Sequence, residues 1–271
     1  MSDQTVSDQT QEEPSSAASV FGAGLPRARQ YVELLVGPGT VRGLIGPSEA
    51  ERVWTRHLLN CAVAATAIPA DARVVDIGSG AGLPGIPMAL ARPDLSIDLV
   101  ETLHRRAAFL DEVIAELALG EQCRVTRGRA EDVSELVGGA DVVTARAVAP
   151  LAKLAAWSAP LLRAGGLFIA LKGQSATDEV ERDRAAVARA GIVDLRVEEI
   201  SADGVDEATI VVIGRRDDTA ERGETGDRGA GRSRAQVRAA GHGPGAGSRQ
   251  GHGPDRAGSP GGSRRGGMRG K

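Results

Sequence analysis

A glycine-rich turn after a short apolar run carries residue types suited to binding a nucleotide. The apolar run is residues 74–77, Asp76 lies near its end, and Gly78 and Gly80 open the glycine run. Glycine lets the backbone turn tightly and approach a ligand closely, while the N-terminus of a following helix offers free N–H groups. The apolar residues 86–91 can form that helix. The pattern therefore predicts a strand, a turn and a helix that together cradle a nucleotide cofactor.

Two kinds of cofactor fit this turn. Residues 80–85 match the dinucleotide pattern G-x-G-x-x-G, which favours NAD. If the pattern is instead counted from the end of the strand, every second residue is an acid or a glycine: Asp76, Gly78, Gly80 and Gly82. That order resembles the first motif of S-adenosylmethionine-dependent methyltransferases, in which the strand-end carboxylate lies near the methionine moiety. A tight turn that binds no ligand is the third interpretation.

A second acidic residue supports an adenosine cofactor without choosing between the two. Residues 96–101 form an alternating, apolar strand pattern that ends on Glu101. An acid about twenty residues beyond such glycines can accept hydrogen bonds from a ribose. Both NAD and S-adenosylmethionine contain that ribose. A solvated acid at a strand end is the alternative interpretation.

Basic residues at two other places could bind an anion. Arg146 follows the apolar strand pattern of residues 140–145, and a cation there needs an anionic partner. A cofactor carboxylate or an RNA phosphate would serve, and a structural salt bridge is the alternative. Arg56 and His57 interrupt the apolar stripe of a predicted helix at residues 48–65, where Ser48 and Glu51 form a capping-box pattern. Together with Arg52, these two side chains could face an anionic substrate, although a lone helical histidine is usually structural.

The elements that must position these residues alternate along the chain. Strands are predicted at residues 74–77, 96–101, 123–126, 140–145, 167–171, 193–200 and 208–213. Helices are predicted at residues 25–36, 48–65, 86–91, 105–117, 151–162 and 180–190, and Gly165 and Gly166 are expected to end the fifth. This alternation predicts an α/β fold: a doubly wound, mostly parallel, Rossmann-like sheet preceded by N-terminal helices.

Composition divides the chain into four parts. Residues 1–20 are predicted to be a disordered extension, 21–70 a helical segment, 71–214 the cofactor-binding domain and 215–271 a disordered tail. The tail holds 13 Lys and Arg against 6 Asp and Glu, whereas residues 1–214 hold 20 against 30. A basic, glycine-rich tail favours a polyanionic partner, and a solubilising extension is the alternative.

Several classes of protein are disfavoured by the same composition. The sequence contains no run of 18 apolar residues, so a membrane span is not expected. The first 19 residues are polar and contain no apolar stretch, so a secretory signal is not expected either. Two cysteines, Cys61 and Cys123, are too few for a disulfide framework and favour a reduced, cytoplasmic protein. The four histidines are scattered, so no metal site is expected.

Four segments of the sequence resemble the RsmG family, also called GidB. They are Arg-His-Leu-Leu-Asn at residues 56–60, Asp-Ile-Gly-Ser-Gly-Ala-Gly-Leu-Pro-Gly-Ile-Pro at 76–87, Arg-Ala at 146–147, and Ala-Leu-Lys-Gly-Gln at 170–174. The resemblance runs from about residue 39 to residue 213. It implies an S-adenosylmethionine-dependent methyltransferase that modifies N7 of a guanine in the 530 loop of 16S rRNA, with that RNA or the small ribosomal subunit as partner.

The resemblance also implies where the cofactor is bound. Its contacts would fall on turn and strand-end residues: Asp76, Gly78, Gly80, Leu83, Glu101, Ala130, Glu131 and Arg146. Glu101 would hold the ribose, Ala130 would offer its backbone to the adenine, and Arg146 would line the methionine pocket. In open α/β sheets such strand ends are where ligands bind.

RNA contacts and chemistry can be predicted for a methyltransferase of this kind. Arg56, His57 and Lys172 are the candidates for binding RNA. Guanine N7 already has a free lone pair, so no acid or base catalyst is expected and rate enhancement depends on placement of the reactants. An NAD-dependent oxidoreductase would leave Asp76 unexplained, and a non-catalytic RNA-binding protein would leave the glycine turn unexplained.

Overall fold

A seven-stranded sheet with helices on both faces forms the centre of this structure, a computed structural model that describes residues 11–217. The strands are β1 (Arg73–Ile77), β2 (Ser96–Glu101), β3 (Cys123–Arg127), β4 (Ala140–Arg146), β5 (Leu162–Leu171), β6 (Ile192–Ile200) and β7 (Thr209–Arg216). Their spatial order is β3-β2-β1-β4-β5-β7-β6. The first five are parallel, and β7 is antiparallel to both β5 and β6. The predicted doubly wound, mostly parallel, Rossmann-like fold is confirmed.

The α-helices alternate with these strands after an N-terminal group. They are α1 (Ser16–Phe21), α2 (Leu25–Leu34), α3 (Asn60–Ala64), α4 (Gly85–Ala91), α5 (His104–Glu116), α6 (Ser134–Val137), α7 (Leu151–Ser158) and α8 (Ala176–Arg189). Among residues 11–217, no helix combines the length and the apolar character needed to cross a lipid bilayer.

Two hydrophobic cores cover the two faces of the sheet. Because side chains alternate along a strand, Val74 faces one core and Val75 faces the other. The N-terminal helices pack with α4 and α5 on the Val74 side, while α7 and α8 pack on the Val75 side. The helical segment that precedes β1 therefore shares a core with the sheet and has none of its own.

The prediction of disorder up to residue 20 is wrong for residues 16–20, which belong to α1. Ala17 and Phe21 lie one turn apart and are buried, and the Phe21 ring packs edge-on against Trp54 with centroids 6.4 Å apart. A salt bridge of 2.6 Å between Glu13 and Arg29 holds the residues before the helix. Two buried apolar groups were enough to order a mainly polar segment. Residues 1–10 lie outside the described part of the chain.

The predicted helix at residues 48–65 is present in altered form. A 3₁₀ turn at Pro47–Arg52 leads into a wider π-helical stretch at Val53–Leu59 and then into α3. The predicted capping box does not form, because the cap lies two residues before Ser48: Gly46 occupies the cap position and Pro47 the first helical position.

Two boundaries near the C-terminal half also differ from prediction. Gly165 and Gly166 lie inside β5, where a Cβ on Gly166 would meet the backbone oxygen of Ala140 at 3.0 Å, so they permit a close strand approach. The predicted tail began at residue 215, but Arg215 and Arg216 are the last residues of β7 and pair with neighbouring strands. The remaining tail, residues 218–271, lies outside the described residues.

Candidate functional site

A cavity of about 780 Å³ opens at the carboxyl ends of the strands β1, β2 and β4. This is where the strand order reverses, since β2 lies on one side of β1 and β4 on the other, and open α/β sheets bind ligands at that point. Its volume lies within the range of roughly 300–1,000 Å³ usual for ligand sites. Eight of the residues singled out from the sequence line it: His57, Gly78, Gly80, Leu83, Glu101, Ala130, Glu131 and Arg146.

The glycine turn forms the floor of this cavity in a conformation that only glycine adopts without strain. Gly78 has φ +68° and Gly80 has φ +60°. A Cβ on Gly78 would also lie 2.8 Å from a methyl carbon of Val148, which lines the cavity as well. The turn is fixed from outside by the buried Tyr31 of α2, whose hydroxyl donates to the carbonyl of Ala81 at 2.8 Å. The glycines thus keep the cavity open at this end.

Asp76 lies beneath the turn and does not line the cavity. Its Oδ2 accepts a hydrogen bond of 3.2 Å from the N–H of Gly85, and its Oδ1 has no partner among the described residues. Complete burial raises the pKa of this carboxyl to about 7, only partly opposed by hydrogen bonds from the turn. The structure therefore gives Asp76 contact with the turn and the start of α4.

Glu101 joins the glycine turn to the start of the next helix. Its Oε2 accepts from the N–H of Gly80 at 3.0 Å, and its Oε1 accepts from the N–H of Leu103 at 2.8 Å. Oε1 also accepts from Oγ1 of Thr102 at 3.3 Å, whereas Oε2 has the single donor Gly80 within residues 11–217. A carboxylate oxygen can accept two hydrogen bonds, so Oε2 retains acceptor capacity toward the cavity that Glu101 lines.

Arg146, at the end of β4, is bound by neutral groups. Its Nη1 donates to Sγ of Cys61 at 3.0 Å and its Nη2 donates to Nδ1 of His57 at 2.7 Å. Within residues 11–217 it forms no ion pair with a carboxylate, so the salt bridge considered from the sequence is not seen. Two of its five N–H groups are used, and the rest remain available at the cavity wall.

His57 lies between Arg146 and the carboxylate of Glu49. Because a guanidinium can only donate, Nδ1 must accept, so the neutral ring carries its proton on Nε2. That nitrogen lies 2.7 Å from Oε2 of Glu49. Burial, followed by the charge of Arg146, lowers the pKa of His57 to about 4, although Glu49 acts in the opposite direction. His57 is thus a neutral link between a cation and an anion, both on the cavity wall.

The other two RNA-binding candidates lie outside the cavity lining. Arg56 is exposed, and its Nε is 3.6 Å from Oε2 of Glu49. Lys172 is mostly buried, forms a 3.0 Å ion pair with Glu179 of α8 and donates to the carbonyl of Ala149. Its charge is therefore already neutralised inside the protein, which corrects the expectation that it contacts RNA phosphate.

Five charged or aromatic residues that were not singled out from the sequence also line the cavity: Glu49, Arg106, Arg129, Lys153 and Trp157. The Nε of Arg106 is buried with no partner among the described residues. Nζ of Lys153 lies 4.7 Å from the centroid of the Trp157 ring, a cation–π contact one helical turn apart on α7. That four-residue spacing was the available signal, since α7 begins shortly after Arg146 in the chain.

The family model described as rRNA small subunit methyltransferase G matches residues 25–209, from the start of α2 to the first residue of β7. The chain belongs to this family. A "Ribosomal RNA small subunit methyltransferase G" of Mycolicibacterium gilvum is 54% identical over 203 residues, which cover 74% of this chain and 88% of that one. The protein of the same name from Corynebacterium jeikeium is 53% identical over 203 residues, covering 74% and 90%. The predicted family is therefore confirmed.

The part of the chain that matches the small subunit methyltransferase G family contains the whole cavity. Within residues 11–217, no group of three or more His, Cys, Asp or Glu side chains is arranged to hold a metal ion. Both cysteines are buried with free thiols, and burial raises the pKa of each.

Proposed function

We propose that this chain uses S-adenosylmethionine to methylate N7 of a guanine in the 530 loop of 16S rRNA. The observation that carries the proposal is one cavity with two differently built halves. One half is made of the glycine turn, Glu101 and Ala130, and the other of Glu49, His57 and Arg146. The first suits the adenosine of the cofactor. The second suits the methionine end of the cofactor, at Arg146, and beside it a planar substrate. Membership of a family named for methylation of small subunit rRNA supports the reaction.

The residues present fit the proposed cofactor. Gly78 leaves space where a side chain would meet Val148, and Glu101 retains acceptor capacity suited to ribose hydroxyls. The N–H of Ala130 donates to none of the described residues, so it is free for an adenine nitrogen. The orphaned Nε of Arg106 is a further donor for a ligand acceptor. When bound, the cofactor supplies a methyl group that its sulfonium already activates.

The protein's own residues position the reactants and exchange no proton. Arg146 has free N–H groups at the cavity wall, where they can bind the cofactor carboxylate. His57 is neutral at physiological pH because its pKa is low, so it holds Arg146 without adding a competing positive charge. Guanine N7 attacks through its own lone pair, so the rate depends on placement at contact distance and on exclusion of water.

The RNA partner fits the cations around the cavity mouth. Arg129 and the exposed Lys153 line the cavity and can neutralise phosphates. We therefore propose 16S rRNA, free or within the small ribosomal subunit, as the substrate, and the cytoplasm as the place where the two meet.

The test uses the full chain with methyl-labelled S-adenosylmethionine and small subunits from a strain that lacks the modification. We expect label at a single guanine of the 530 loop, and chain cleavage specific to N7-methylguanine should locate it. Calorimetry with S-adenosylmethionine and with NADH runs in parallel. Binding of NADH alone would favour an oxidoreductase, and RNA binding without transfer would favour a non-catalytic protein; either result overturns the proposal.

A further inference from the structure

Glu49 is a carboxylate on the wall of a cavity that, under the proposed function, receives RNA. Its side chain is 32% exposed, and Oε2 lies 2.7 Å from Nε2 of His57 and 3.6 Å from Nε of Arg56. Its Oε1 has no partner among residues 11–217. An acid that faces a polyanion is repelled by its phosphates, so an unpartnered carboxylate oxygen here needs a role that offsets this repulsion.

The position of Glu49 associates it with the substrate half of the cavity. The residues proposed to bind the adenosine of the cofactor come from the ends of β1, β2 and the loop after β3, and Arg146 is proposed to bind its carboxylate at the methionine end. Glu49 instead belongs to the 3₁₀ turn before α3 and is joined through His57 to Arg146 at the end of β4. The strand order places β4 on the opposite side of β1 from β2 and β3. A base that approaches the cofactor from this side meets Glu49.

The chemistry of a carboxylate matches one base in particular. An ionised carboxylate only accepts hydrogen bonds and can accept two in parallel. The Watson–Crick edge of guanine presents two adjacent donors, the N1–H and the 2-amino group, whereas adenine and cytosine present a ring-nitrogen acceptor at the equivalent position. Guanine N7 lies on the far side of the purine from these donors. A guanine held by Glu49 at its Watson–Crick edge therefore directs N7 away from Glu49 and into the cavity.

We propose that Glu49 recognises the target guanine by accepting hydrogen bonds from its N1–H and 2-amino group. Nε2 of His57 lies 2.7 Å from Oε2, and Nε of Arg56 is farther away at 3.6 Å, so Oε1 and the second lone pair of Oε2 remain for the two donors of the base. The inference rests on the proposed function and adds the residue that selects guanine over other bases.

The test compares the wild-type chain with Glu49→Gln on small subunits reconstituted with 16S rRNA that carries either guanosine or inosine at the target position. Inosine lacks the 2-amino group but keeps N7 and N1–H. We expect wild-type kcat/KM to be roughly 10- to 100-fold higher for guanosine, the range for a hydrogen bond to a charged group. Glu49→Gln should lower kcat/KM for guanosine by a similar factor and reduce the guanosine-to-inosine ratio to about 1–3.

Glu51→Gln is the matched control, since Glu51 is exposed on the same turn and does not line the cavity. It should keep the wild-type rates and ratio, and the affinity of all three chains for S-adenosylmethionine should agree. Any effect of inosine on RNA folding is shared by the chains and cancels when their ratios are compared.

Two outcomes overturn the inference while leaving the proposed function intact. One is a wild-type chain that methylates both RNAs equally well. The other is a Glu49→Gln chain that is slower on both RNAs by the same factor, which would show that Glu49 only orients His57. Absence of any transfer from the wild-type chain to guanosine RNA overturns the proposed function, and the inference with it.

Discussion

Nη2 of Arg146 donates to Nδ1 of His57 across 2.7 Å, although the two residues are 89 positions apart in the chain. The contact joins the end of β4 to the helical stretch that precedes α3. It fixes the side chain of Arg146 without using an acid, so its charge is not cancelled. An uncancelled, positioned guanidinium on a cavity wall is well suited to bind an anionic group of a ligand.

Arg146→Ala should lower methyl transfer more than tenfold and change the melting temperature by only a few degrees. The substitution removes the proposed cofactor contact but breaks no carboxylate ion pair, so the cost to folding is limited to the bonds with Cys61 and His57. Arg196→Ala, at an exposed ion pair with Glu198 on β6, is the control and should leave transfer unchanged. Intact activity, or a collapse of stability, would show that Arg146 has a structural role instead.

Gly78→Ala should weaken binding of S-adenosylmethionine at least tenfold, as measured by calorimetry. The residue would be held at φ +68°, which costs an L-residue roughly 1–2 kcal/mol, and its Cβ would press on Val148. Gly78→Val should abolish binding. Gly120→Ala is the matched control, because a Cβ there meets nothing within 4 Å. Near-wild-type affinity in Gly78→Ala would contradict the placement of the cofactor over this turn.

As the pH rises, the free energy of unfolding of the Asp76→Asn variant should increase relative to that of the wild type. The pKa of Asp76 is raised by burial to about 7 in the folded state from 3.8, so the folded state binds the proton more tightly. The stability this proton contributes is complete below about pH 4 and is lost as the pH rises to 7. Asparagine does not titrate.

The difference in unfolding free energy between Asp76→Asn and the wild type should therefore grow by about 2–4 kcal/mol from pH 4 to pH 8. Urea denaturation without ligand measures it at each pH. The comparison must be a difference, because the lowered pKa of His57 acts in the opposite sense, costing stability as the pH falls from 6.5 to about 4. Asp111→Asn, at an exposed position on α5, is the control for the same substitution outside the core. A flat result for Asp76→Asn would mean that the carboxyl is ionised in the folded protein.

Deletion of residues 218–271 should leave cofactor affinity unchanged, because the described fold and the cavity end before them. The deleted segment holds 11 Lys and Arg against 5 Asp and Glu. If it binds RNA, the slope of log K against log salt should flatten by about 0.7 for every phosphate of a single-stranded RNA that it neutralises. We expect transfer at low salt and a shallower slope. An unchanged slope would favour a solubilising extension, and failure of the shortened chain to bind the cofactor would contradict the deletion boundary.

The sequence was sufficient for features that depend on neighbours in the chain. Strand periodicity and strand-end acids predicted β1, β2 and the position of Glu101, because alternation and burial are local patterns. It was insufficient where a side chain meets a partner brought by the fold. The sequence does not show that Lys172 forms an ion pair with Glu179, because only the fold brings the two side chains together. No sequence pattern singles out Glu49, because the cavity that it lines is assembled from distant segments.

The hydrogen bond from Tyr31 to the carbonyl of Ala81 connects the glycine turn to α2. If the turn and α2 open together, a ligand that binds only the ordered turn protects α2 against opening, and opening of α2 weakens binding of that ligand by the same factor. Amide exchange in residues 25–34 would slow in proportion to ligand occupancy, although these residues lie outside the cavity lining. A contact of the N-terminal helices with another molecule would thus reach the binding site through this phenolic hydroxyl as well as through the core that the helices share with α4.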